Sequence, residues 1–168
     1  DIRTGRRLWD VDIGGIQTPW LAGDWVYALS NEGQLVCIER NSGRIKWSAQ
    51  LNSFTTERQR RTPIVWTGPV IASDRLIVAG SHGEALSLSP YTGQVLGRIV
   101  IGERVLISPI VAEGTIYFLD DTGRVVQSNF DTYRSLRIGE MPAVEVTIIK
   151  SDAAPTGVGE PGVPPLAP

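Results

Sequence analysis

Apolar residues along this chain come in short runs cut by glycine, asparagine, aspartate and serine, and no window holds the three-and-four spacing of an amphipathic helix. Trp20-Leu21-Ala22 leads into Trp25-Val26-Tyr27-Ala28-Leu29, followed by Leu35-Val36-Cys37-Ile38 and Ile45-Lys46-Trp47. Runs rich in β-branched and aromatic residues and bounded by turn formers predict strands. The pattern predicts an all-β chain.

The runs repeat. A glycine follows a proline by 14 residues three times, at Pro19 and Gly33, Pro69 and Gly83, Pro109 and Gly123. Between them fall the turn pairs Gly23-Asp24, Ser73-Asp74 and Glu113-Gly114. A second phrase recurs as Thr4-Gly5-Arg6-Arg7-Leu8-Trp9, Ser42-Gly43-Arg44-Ile45-Lys46-Trp47 and Thr92-Gly93-Gln94-Val95-Leu96-Gly97. Gly33, Gly83 and Gly123 stand where a hairpin needs positive φ, which glycine adopts at little cost. Strand, turn, strand, turn at this period predicts a β-propeller blade of four antiparallel strands. Trp9 and Trp47, at equivalent positions, are expected to pack between neighbouring blades, and Gly97 leaves that contact weaker in the third phrase.

The expected organisation is a partial propeller over 1–140, with blade cores at about 18–51, 68–101 and 107–138. Residues 141–150 alternate like one more strand. The Pro/Gly-rich stretch 151–168 reads as a disordered tail. About three blades are fewer than the roughly four to eight of closed propellers, so the chain reads as a C-terminal fragment of a larger ring.

Charge and motifs narrow the chemistry. A net charge of −2 offers no basic field for nucleic acid, and no apolar stretch is long enough to span a bilayer. Cys37 is the single cysteine and reads as a small buried hydrophobe. His82, the single histidine, reads as a solvent-facing turn residue without a catalytic partner. Asp120 and Asp121 sit in a turn, where aspartates bond their own backbone; a calcium site needs more oxygens than they bring. Gly157 to Gly162 matches a dinucleotide fingerprint by letter only, with Pro161 inside it. Hydrolase, zinc-protease and phosphate-loop signatures are absent. No catalytic, cofactor or metal residues are assigned.

One stretch breaks the repeat. Between Trp47 and Pro69 the chain is longer than after Trp9, and it carries Arg58, Arg60 and Arg61 flanked by Phe54 and Trp66. Arginines beside aromatics on a long loop are a pattern of binding surfaces, which makes these five residues the candidate partner site; a merely solvated loop is the competing reading.

Thr4-Gly5 through Trp9, Gln17-Thr18-Pro19-Trp20, Asn31 through Cys37, Arg40 through Arg44, Gly68-Pro69-Val70 and Ser89 through Gly93 together resemble the pyrroloquinoline-quinone-type propeller repeat. Within that superfamily the chain is similar to the outer-membrane assembly factor B family. The likeness runs from Asp1 to about Val126 and lapses from Gln127 onward. It implies a ring of about eight blades on the periplasmic face of a bacterial outer membrane, tethered by an N-terminal lipidated cysteine that is not Cys37. It further implies a scaffold without cofactor or enzymatic activity. Such a scaffold binds the periplasmic domains of the central barrel subunit and nascent outer-membrane proteins. Two other readings use the same repeat. A quinoprotein dehydrogenase would need an adjacent cysteine pair and convergent calcium ligands, which this stretch lacks. An extracytoplasmic sensor domain would be told by what precedes Asp1.

Overall fold

In the computed structural model, residues 1–55 and 62–129 and the backbone of 147–149 are described. Among the described residues, twelve strands make three antiparallel sheets of four. The first holds β1 (Trp20–Ala22), β2 (Trp25–Leu29), β3 (Gln34–Glu39) and β4 (Ile45–Gln50) in chain order. The second holds β5 (Trp66–Ala72), β6 (Arg75–Gly80), β7 (Glu84–Leu88) and β8 (Val95–Val100). The third holds β9 (Ile110–Ala112), β10 (Thr115–Leu119), β11 (Val125–Asn129) and β12 (Thr147–Ile149). No helix occurs among the described residues. The fold is all-β, three blades of a β-propeller.

The turns are where the glycines are. Gly33, Gly83 and Gly123 have φ of 76°, 83° and 84°. Each closes a tight hairpin in which its N–H donates to the carbonyl three residues earlier, at Ser30, Gly80 and Asp120. The first turns also use positive φ. Ser73 and Asp74 (45° and 58°) and Glu113 and Gly114 (51° and 74°) show it at both central residues, the primed geometry that matches strand twist.

Strand alternation builds two cores. Tyr27, Leu29, Leu35 and Cys37 of the first sheet meet Leu76, Val78, Leu86 and Leu88 of the second. From the opposite face of the second sheet, Ile77, Ala79, Ala85 and Ile99 meet Ile116, Phe118 and Val126 of the third. The middle sheet is covered on both faces, which is why β6 is buried at five successive positions where burial alternates along β2. Pro69 and Pro109 are buried while Pro19, at the outer face of the stack, is exposed.

A repeated side-chain contact ties each phrase to the next. The Trp9 ring covers Gly43 and donates from Nε1 to the Arg40 carbonyl at 2.7 Å. The Trp47 ring covers Gly93 and donates to the Pro90 carbonyl at 3.0 Å. Gly5, Gly43 and Gly93 share φ near 70° (67°, 73° and 72°). The connections repeat as well: the N–H groups of Asn31, Ser81 and Asp121 donate to the carbonyls of Gly14, Val65 and Arg104. The 151–168 tail lies outside the described residues.

Candidate functional site

The β4–β5 connection leaves the first sheet at Leu51, whose N–H donates to the Gly33 carbonyl at 2.9 Å. Its two arms then pair with each other. Phe54 and Pro63 form an antiparallel bridge, and the Thr55 N–H donates to the Thr62 carbonyl at 3.1 Å. The Ile64 N–H donates to the Ser53 carbonyl at 2.9 Å. Val65 is fixed to the neighbouring turn from both of its backbone groups, donating to Ser81 Oγ at 2.9 Å while its carbonyl accepts from the Ser81 N–H. The connection therefore stands on a hydrogen-bonded stem. Arg58, Arg60 and Arg61 belong to the residues between its arms and lie outside the described residues.

The aromatics flanking those arginines have different places. Trp66 is 5% exposed, its ring 3.2 Å from where a Cβ on Gly33 would lie, and Nε1 donates to the Asn52 carbonyl at 2.8 Å. It is committed to the interior and supports the stem from below. Phe54 is half-buried at the surface, between two clefts whose walls it shares with Ile64. One, of about 490 Å³, adds Asn31, Glu32 and Gln50. The other, of about 290 Å³, has Trp66 and Leu86 as floor and His82, Glu84 and Arg98 as wall.

His82 departs from the sequence expectation. Its side chain is 15% exposed rather than solvent-facing, set edge-on to Trp66 at 5.2 Å between centroids. Gly80 makes the room, since a Cβ there would fall 2.4 Å from the imidazole. One oxygen of Glu84 takes both His82 Nε2 (3.1 Å) and Arg98 (2.9 Å), while His82 Nδ1 is buried without a partner. The spacing of these residues gives no sign of the cluster. Glu84 and Arg98 sit two pairs apart on adjacent strands, and only the β7–β8 register brings them together.

The acidic turn is a closed unit. Asp120 Oδ1 accepts from the Thr122 N–H (3.0 Å), Thr122 Oγ1 (2.6 Å) and the Arg124 N–H (2.9 Å), and Oδ2 accepts from Arg124 Nε (2.9 Å). Burial opposes its ionisation, but the donors from Thr122 and Arg124 outweigh burial and hold its carboxyl at about 2. Its acceptor capacity is spent on its own turn. Among the described residues no group of three or more His, Cys, Asp or Glu is placed to hold a metal ion. Cys37 is 1% exposed, and burial pushes its thiol up, against a smaller opposing hydrogen bond from Tyr27.

With the sheets and their connections in view, comparison with known proteins becomes decisive. The family model described as outer membrane protein assembly factor BamB matches residues 1–49 and 49–136. The chain belongs to this family. Among curated relatives, the BamB of Shewanella oneidensis is 30% identical over 149 residues, covering 71% of this chain and 37% of the relative. The BamB of Salmonella typhimurium is 27% identical over 129 residues, covering 76% of this chain and 29% of the relative. Among solved structures, BamB from Moraxella catarrhalis superposes with a TM-score of 0.57 at 19% identity, over 82% of this chain and 44% of that one. A europium-containing methanol dehydrogenase also gives 0.57, at 16% identity, over 76% of this chain and 25% of that one. Both structural likenesses show the fold. The chain spans less than half the length of each of these relatives.

Proposed function

We propose that this chain is blade material of a non-enzymatic scaffold of the outer-membrane protein assembly machinery, working on the periplasmic face of the outer membrane. It belongs to a ring of about eight blades held to the membrane by an N-terminal lipid anchor outside these residues. The ring binds the periplasmic domains of the central barrel subunit and assists insertion of nascent outer-membrane proteins. The observation that carries this reading is the BamB family match, which takes in the first two blades and β9 to β11 of the third.

Docking is assigned to the β4–β5 connection. Its stem presents Phe54 between two clefts, an apolar ridge with polar flanks of the kind that anchors a protein interface. Arg58, Arg60 and Arg61 supply charge-assisted contacts to carboxylates of the partner. Trp66 acts through the stem rather than by touching the partner.

Calorimetric titration of the protein with the purified periplasmic domains of the central barrel subunit tests the reading, and saturable binding is expected. The quinoprotein alternative is tested on the same sample with pyrroloquinoline quinone, calcium and an alcohol. Dye reduction there, with no binding to the periplasmic domains, would replace the scaffold by an oxidoreductase.

A further inference from the structure

The end of the blades opposite the β4–β5 connection holds a further cavity. It lies between the first and second sheets, has a volume of about 300 Å³, and is walled by Trp25, Tyr27, Trp47 and Tyr91 with Cys37 at its base. Lys46 stands at its mouth, Nζ 5.7 Å from the centre of the Trp25 ring. A cleft of about 260 Å³ adjoins it, sharing Trp25 and Lys46 and adding Arg44 and Glu39.

A backbone irregularity creates this arrangement. Cys37 pairs with Trp47 and Ile38 with Ile45, so Lys46 is the extra residue of a bulge. A bulge re-aims side chains, and here it brings a cation and an indole to one pocket. The second sheet has the same bulge, between the pairs Ser87–Gly97 and Leu88–Val95, but carries Leu96 and Gly97 at it. The bulge therefore does not itself require a lysine at this position, and Trp47, which packs on Gly93, also lines the pocket. Tyr91 is not needed for packing, being 71% exposed at the rim.

We infer that this cavity is a docking pocket for an aromatic side chain that stands beside a carboxylate in a segment of a partner protein. An apolar cavity of about 150 Å³ suffices for benzene, so the space admits a phenyl or phenol ring. Four aromatic walls offer edge-to-face contacts to such a ring. Charge selects its neighbour. Among the described residues neither Lys46 nor Arg44 has a carboxylate within ion-pair distance, and Glu39, the one acid of the adjoining cleft, is hydrogen-bonded to the Ser42 hydroxyl. The two cations are left facing solvent beside the pocket mouth, complementary to an acidic residue of the incoming segment. The pocket is separate from the arginine-bearing connection, and the inference stands independently of docking there.

The test is an NMR titration of the whole chain with acetyl-Gly-Phe-Glu-Gly-amide, following the indole N–H signals of Trp25 and Trp47. Saturable shifts at both indoles are expected. Binding should weaken about tenfold or more when the peptide carries Lys for Glu, the loss of one charge-assisted contact, or Ala for Phe, the loss of the buried ring. The same weakening is expected in Lys46→Glu, and Tyr91→Ala, at an exposed position, should also weaken it. Charge reversal at Arg58, Arg60 and Arg61 should leave this titration unchanged, which separates it from the other docking site. Absence of saturable shifts, or equal affinity for the Glu and Lys peptides, overturns the inference.

Discussion

Trp47 and Gly93 are locked together across the first two blades: a Cβ on Gly93 would lie 2.7 Å from Cε3 of the indole. The indole N–H is bonded three residues upstream of that glycine, at the Pro90 carbonyl. Trp9 stands to Gly43 and Arg40 in the same way. The tryptophan of one phrase thus reads the glycine of the next, and the spacing between phrases sets the spacing between blades. Trp47→Ala should lower stability by about 3 kcal/mol, through lost burial and a cavity. Gly93→Ala should cost about 1–2 kcal/mol from positive φ and overpacking. Urea unfolding of both single variants and the double variant measures the coupling, which should make the double change less than additive. A Trp47→Ala protein with wild-type stability would remove the indole from this role.

Asp120 gives the fold an acid-sensitive element. Its folded carboxyl titrates at about 2, below the ordinary value of 3.8. A depressed folded value contributes stability that is fully present above about pH 4 and is lost as pH falls toward 2. Asp120→Asn should therefore be less stable than the parent at neutral pH, with the gap closing between pH 4 and pH 2. Unfolding free energies across that range check it, and a gap independent of pH would contradict the hydrogen-bond cage as its source.

Ser87 carries a hydroxyl buried without a partner, opposite Gly97 in the strand register. Ser87→Ala removes an unsatisfied polar atom and should stabilise the protein by about 1 kcal/mol, read as a higher urea midpoint with unchanged slope.

Cys37 should resist thiol reagents in the folded chain, because it is enclosed and its thiol is pushed up by burial. Iodoacetamide should react slowly in buffer at pH 8 and rapidly in denaturant. A fast native reaction would contradict the enclosure of the thiol by its neighbours.

Much of this architecture was legible in the chain. The glycines at 33, 83 and 123 marked their hairpins because only positive φ closes those turns cheaply. The tryptophans at 9 and 47 announced a contact between blades because their spacing copies the repeat. What stayed hidden depends on register and on neighbouring sheets. His82 looked exposed because a turn residue usually is; the hollow over Gly80 that accepts it is visible only when the hairpin is built. Trp66 looked like a surface anchor beside the arginines, yet its place over Gly33 comes from the adjacent blade. Lys46 and Trp47 would point apart in a regular strand, and the bulge that unites them leaves no mark in the local sequence.

The longer β4–β5 connection is proposed to dock an acidic surface of the assembly machinery. The most direct test of that docking is calorimetric titration of the Arg58→Glu, Arg60→Glu, Arg61→Glu triple variant against the periplasmic domains of the central barrel subunit, beside the parent and with melting temperatures matched. Binding weakened about tenfold or more, with the blades still folded, is the expected result. Affinity equal to the parent's would contradict it.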